Sequence, residues 1–324
     1  MSLSRRNLLR LGLALPAMPA LADADTPAAL LMGTGSPGGD FALYGPAWGQ
    51  LAAAQTGISI AYRATGGSSA NILLIEEGAA ELGLTTVAVA RQARFGTGNW
   101  TAGVKFQTFR ALFPMFPSVL QIVSPQATGI TSLDALSGQV IGVGPAGSSA
   151  ATTMPDILAS IGVHPKAMAT GGYIKQIHNM LSGQIAACAF IGAPPLPAIA
   201  QVAMTHSLSL IGFSGPEAAQ VARVVPGMSP MVLKAGLFPG QHMGIGSVGT
   251  MNIAIGAASL SKDMAQAVTR AALDHMAMLA AVIDTPLNPS SVSSITDAGI
   301  TFHPGAAVAL RHAGFRVPDK FVEA

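Results

Sequence analysis

Three stretches of this chain set glycines beside hydroxyl side chains: Gly33-Thr34-Gly35-Ser36-Pro37-Gly38-Gly39, Thr65-Gly66-Gly67-Ser68-Ser69 and Gly144-Pro145-Ala146-Gly147-Ser148-Ser149. Glycine lets the backbone turn sharply and lets another molecule approach it closely. Where such a turn opens a helix, the first N–H groups have no intrahelical acceptor, and the dipole behind them favours a carboxylate or a phosphate. A serine at such a place either caps the helix or touches a bound molecule. One loop alone reads as a cap. Three of the same kind read as a shared anion site.

Other chemistries find less support. G-x-G-x-x-G occurs at Gly33-Gly35-Gly38, Gly142-Gly144-Gly147 and Gly244-Gly246-Gly249. A dinucleotide site also needs an acidic residue about 20 positions on, at the end of the next strand, to hold a ribose. The strand after Gly33 has no Asp or Glu, and Asp156 after Gly142 falls inside a helix. The third copy runs into a strand. There is no G-x-S-x-G elbow and no Walker loop. None of the seven histidines pairs with another, or with Cys or Glu, at a metal-binding spacing. Glu76, Glu77 and Glu81 flank Gly78 at what reads as a solvated helix end. Neither a catalytic apparatus nor a cofactor site is expected.

The elements that must position the three loops alternate as in an α/β protein. Strands are expected at residues 28–32, 58–63, 82–85, 140–143, 187–191 and 247–255. Helices are expected near 44–55, 69–78, from 87 to 93, from the third loop to about 161, and as one long helix over 262–283. Residues 110–116 and 119–124 read as a pair of strands punctuated by prolines, leading into a second lobe. The single cysteine, Cys188, lies in an apolar run and is expected to be buried and unpaired.

Composition narrows the class. The 324 residues are 50% hydrophobic and 10% charged, with 37 Gly and 22 Pro, which suits neither a coiled coil nor a disordered tail. The net charge of +2 is carried by scattered residues, with no basic stripe for a phosphate backbone, so no nucleic-acid partner is expected. Mean hydropathy is high at +0.49. After the N-terminus, however, no uncharged apolar run reaches the roughly 18 residues that span a bilayer. The N-terminus itself reads as an export signal over residues 1–24. Ser4-Arg5-Arg6-Asn7-Leu8-Leu9-Arg10 has the twin-arginine pattern, residues 11–21 are apolar, and small residues offer cleavage near 22–24. The periplasm is the expected location.

Five stretches in order carry a resemblance. They are residues 33–41, Ala64 to Asn71 through the second loop, Gly129-Ile130 with 133–138, the third loop, and Phe302-His303-Pro304-Gly305-Ala306. The chain resembles the TAXI solute receptors of tripartite ATP-independent periplasmic (TRAP) transporters. That resemblance implies a two-lobed, periplasmic binding protein-like (type II) α/β fold with crossing hinge strands. Residues 25–123 and 245–324 would form lobe 1, and 124–244 lobe 2. It implies a small carboxylate ligand, either glutamate-like or a dicarboxylate, and delivery to TRAP membrane permease subunits. The implied contacts are Ser36 and Phe41 in the first loop, Thr65, Gly67, Ser68 and Asn71 in the second, and Ser148 and Ser149 in the third. Ala42, Thr85-Thr86-Val87 and Ala150-Ala151 depart from the family pattern and remove polar groups, which puts glutamate itself in doubt. Arg63 and Arg91 are the cations nearest in sequence to the second loop and third strand. An exported two-lobed enzyme acting on a small anionic substrate, and a surface protein without a ligand, stay open as alternatives.

Overall fold

The structure, a computed structural model, describes residues 29–283 and 291–323. The export signal expected over 1–24 lies outside the described residues. No helix among the described residues is long and apolar enough to cross a membrane.

The first lobe begins with β1 (Ala29–Gly33), α1 (Phe41–Thr56), β2 (Ser59–Arg63), α2 (Ser68–Glu76), β3 (Leu82–Thr86) and α3 (Val87–Phe95). β1 pairs in parallel with both β2 and β3. Each strand therefore ends at the same edge, and the loops that follow β1 and β2 emerge side by side. β3 is buried along its whole length, its closing Thr85 and Thr86 included, as a strand flanked on both sides within a covered sheet is. Glycine closes α1 and α3: Gly57 and Gly96 take φ values of 71° and 67°, a left-handed conformation that other residues rarely adopt.

The chain then crosses to the second lobe along β4 (Phe109–Pro125). There it forms β5 (Val140–Gly142), α4 (Ser149–Ser160), β6 (Ala167–Ala169), α5 (Tyr173–Leu181), β7 (Ala187–Gly192), α6 (Pro197–Ala203), β8 (Leu208–Ile211), α7 (Gly215–Val224) and β9 (Ser229–Leu233). It returns along β10 (Ile245–Ala257) and ends in α8 (Lys262–Asp274), α9 (Met276–Ile283), α10 (Ser291–Asp297) and α11 (Pro304–His312). The strand order is β2-β1-β3-β10-β4-β7-β5-β6, with β8 on β4 and β9 on β10.

β4 and β10 are the strands shared by the two lobes. β4 pairs antiparallel with β10 from Phe109 to Val119, and with β7 from Val119 to Val123. β10 pairs with β9 at its start and with β3 from Asn252 to Gly256. One strand therefore stands where two were expected. Pro114 and Pro117 offer no N–H to the ladder, yet β4 continues, with an extra residue bulged on β4 where the register shifts opposite Met251 to Ile253 and again opposite Ala254 to Ile255. The expected helix over 262–283 is two helices. It breaks at His275, whose backbone leaves the helical region at φ −124°, ψ 27°.

Each lobe has its own core. Trp48, Phe113, Leu84 and Ile255 belong to the first, and Trp48 anchors α1 to α8 through a 2.9 Å bond from Nε1 to the Val268 carbonyl. Ile122, Ile141, Met154 and Val221 belong to a second cluster, and Phe190, Ile199 and Phe238 to a third beside it. Cys188 is buried on β7 and unpaired, and burial pushes its thiol above the ordinary range.

Candidate functional site

The loops after β1, β2 and β5 meet where the lobes face each other. Ser69 N–H donates to the Gly147 carbonyl at 2.9 Å, joining the start of α2 to the third loop. The Thr86 and Ser149 hydroxyls bond at 3.1 Å between the start of α3 and the start of α4. Gly66 faces the third loop so closely that a Cβ there would sit 1.6 Å from the Ala146 carbonyl oxygen. Asp40, just before α1, accepts the Ala193 N–H at 2.6 Å through Oδ2. These bonds hold the two lobes together.

Between them is a cavity lined by Gly35, Ser36, Gly39, Asp40, Phe41, Gly66, Gly67, Ser68, Thr86, Ser118, Ser148, Ser149, Tyr173, Ile191 and Asn252. The space within it that the centre of a water-sized molecule can reach is about 30 Å³, room for one or two waters. An organic molecule enters only when the lobes part. A larger hollow of about 760 Å³ lies within the second lobe, among Met204, His206, Phe238, His242 and Met243. It is remote from all three loops, so the smaller interlobe cavity is the candidate site.

The structure brings six of the eight expected residues to this cavity: Ser36, Phe41, Gly67, Ser68, Ser148 and Ser149. Their side chains are not equivalent. Ser148 caps α4 by accepting the Ala151 N–H at 3.2 Å, and it donates to the Val143 carbonyl at 3.3 Å. Ser36 donates to the Thr65 carbonyl at 2.8 Å. Ser149 is engaged with Thr86. The Ser68 hydroxyl alone of these serines is buried without a partner, in a residue 1% exposed. A buried hydroxyl left unmatched costs free energy, and the space it lines is where a partner would come.

Thr65 and Asn71 stand one layer behind. Asn71 donates to the Thr34 and Leu84 carbonyls, both at 2.8 Å, and its Oδ1 accepts from the Thr65 hydroxyl at 2.7 Å. Thr65 in turn accepts the Gly67 N–H at 3.0 Å. The pair ties the ends of β1 and β3 to the second loop and shapes it without lining the cavity. Arg63 is exposed. Arg91 donates to the Ala298 carbonyl at 2.7 Å and lies over the Phe95 ring. Neither arginine lines the cavity.

Six lining residues escaped the sequence reading. Asp40 sits inside the first glycine stretch, immediately before a helix. Tyr173 follows Gly171-Gly172, a fourth glycine turn into a helix, and packs edge-on against Phe190 with ring centroids 4.9 Å apart. Ser118 and Asn252 are polar residues on the crossing strands, and a polar residue in an apolar run was the available signal. Asn252 Nδ2 donates to the Phe116 carbonyl and the Ser118 hydroxyl, both at 2.7 Å. Thr86 and Ile191 close the cavity from either lobe. Burial pushes Asp40 up to about 7, a rise that the Ala193 N–H only partly offsets. Tyr173 is raised by burial first and by Asp40 second.

Residues 32–314 match the sequence pattern of the NMT1-like family. The chain belongs to that family. Solved structures similar to this NMT1-like protein include one described as a periplasmic transporter, with TM-score 0.55 and 14% identity, covering 88% of this chain and 96% of the other. Another is the GluR0 ligand-binding core from Nostoc punctiforme in complex with L-glutamate, with TM-score 0.50 and 15% identity, covering 79% and 97%. A third is the alkanesulfonate-binding protein SsuA from Xanthomonas axonopodis pv. citri bound to MOPS, with TM-score 0.50 and 15% identity, covering 90% and 85%. At such identities the likeness establishes the fold: the two-lobed α/β architecture of type II binding proteins. Among the described residues, no group of three or more His, Cys, Asp or Glu is placed to hold a metal ion.

Proposed function

We propose that this NMT1-like protein is a non-enzymatic, extracytoplasmic solute-binding subunit of a transporter. It captures a small organic acid or amino acid between its lobes and presents it to a membrane permease. The observation that carries this reading is the interlobe cavity, where three glycine loops from two lobes converge and Ser68 leaves a buried hydroxyl unmatched. The glutamate and the sulfonate buffer bound by two proteins of similar fold are anions of the expected size. The five ordered sequence stretches favour the TAXI type and a TRAP permease, and the twin-arginine pattern favours export to the periplasm.

The energetics allow useful affinity without a metal. A helix start favours a carboxylate by about 0.3–1 kcal/mol, and a hydrogen bond to a charged group contributes about 1.5–3 kcal/mol. A few such contacts reach the roughly −8 kcal/mol of a micromolar complex. A thermal-shift screen of small organic acids and amino acids on the mature protein tests the proposal. At least one should raise Tm in a saturable, concentration-dependent way. A flat response to every acid would remove the receptor reading.

A further inference from the structure

Asp40 is unexplained by a site built only for an anion. The residue is 6% exposed, lines the cavity, and receives the Ala193 N–H on its Oδ2, with its own backbone N–H also turned to the carboxyl. A second unmatched acceptor belongs to a residue that lines the same cavity. Asn252 is 1% exposed, and its Oδ1 is buried without a partner. The orientation of that amide is fixed, because the Phe116 carbonyl only accepts and so must face Nδ2. No Lys, Arg or His lines the cavity. The titratable group facing Asp40 is Tyr173 on α5, whose neutral hydroxyl supplies no positive charge. A bare carboxylate closed into this space would lie near another carboxylate with no cation between them, an arrangement that disfavours ionisation of both.

We infer that the ligand is a zwitterion, with its anionic end at the starts of α2 and α4 beside Ser68, and a protonated nitrogen held by Asp40 and Asn252 Oδ1. An ammonium brings three donors and no acceptor, which complements a carboxylate with spare lone pairs and an unmatched amide oxygen. The nitrogen also supplies the positive charge that lets Asp40 ionise while buried. This inference rests on the receptor reading and narrows it. The anionic end is a carboxylate or a sulfonate, since either suits helix starts and a hydroxyl.

The test is calorimetry at pH 7 on the full mature chain, in two buffers of different ionisation heat, with three pairs of probes. These are L-alanine and propionate, L-glutamate and glutarate, and taurine and ethanesulfonate. In at least one pair the amino member should bind tenfold or more tightly than its partner, and the taurine pair distinguishes sulfonate from carboxylate. Asp40 has its pKa raised to about 7, so a cation placed beside it lowers that value and binding should release protons. An anion alone raises it, and binding should take protons up. Asp40→Asn should narrow the preference for the amino member tenfold or more. Equal or tighter binding of the desamino member, or proton uptake with the amino member, overturns the zwitterion while leaving the receptor intact. If no member of any pair binds, the receptor reading for small acids falls and the zwitterion falls with it.

Discussion

Ser68 and Ser148 occupy matching positions in two similar Gly-Ser-Ser sequences, yet Ser148 is the N-cap of α4, whereas α2 is capped at Gly67 and already includes Ser68. Ser148 is bonded on both sides, as the cap of α4 and as a donor to Val143. Ser68 has no partner and is buried. Ser148→Ala should therefore cost about 1 kcal/mol of stability, as cap losses do, with little change in affinity. Ser68→Ala should leave the Tm of the ligand-free protein nearly unchanged and weaken binding about tenfold. Paired melting curves and titrations of the two variants check this, and an exchange of the two phenotypes would contradict the assignment. At this scale the sequence was only partly legible. The contacts implied by the family resemblance, carried on the glycine–serine loops, include six cavity residues. Glycine–serine spacing gave no means of telling a cap from an unmatched hydroxyl, since that depends on the residue at which each helix starts. Asn252 and Ser118 arrive from strands remote in the chain, and the local signal for each is no more than a polar residue in an apolar run. Asp40 is a single acid with no acidic neighbour in its loop, and a lone carboxylate carries no motif.

At the scale of elements, apolar runs and glycine stops located most of the sheet. Where the reading failed, tertiary pairing had overridden a local rule. Two prolines predict a broken strand, but β4 takes them up in bulges against β10 and stays continuous across both lobes. The loops are likewise defined by what faces them. Gly66 has no positive φ to require glycine. Its requirement comes from the Ala146 carbonyl, against which a Cβ would clash at 1.6 Å. Because Ala146 belongs to the opposite lobe, Gly66→Ala should spare the folding of the first lobe and obstruct closure. The expected outcome is a melting temperature close to wild type with binding weakened tenfold or more. Undiminished affinity in that variant would show that the loops need not approach this closely when a ligand is held.

For the whole molecule, the architecture converts local contacts into a switch. Among the described residues, the paired strands β4 and β10 are the continuous elements shared by the lobes, and the register shifts of their ladder lie beside the crossing. A few changes of backbone angle there would rotate one lobe against the other, as in hinge closure. Against that motion stand the bonds between Asp40 and Ala193, Ser69 and Gly147, and Thr86 and Ser149. They close a space of about 30 Å³, too small to admit an organic acid without opening. A ligand bridging both lobes would shift the population toward the closed form by its differential affinity for the two. The central claim is that these lobes close over a small ligand, and small-angle X-ray scattering of the mature protein tests it directly. The protein is measured alone and then saturated with the acid or amino acid that raises its Tm most. The account predicts a smaller radius of gyration with ligand, and loss of that compaction in Gly66→Ala. Identical scattering curves for the free and saturated wild-type protein would contradict it.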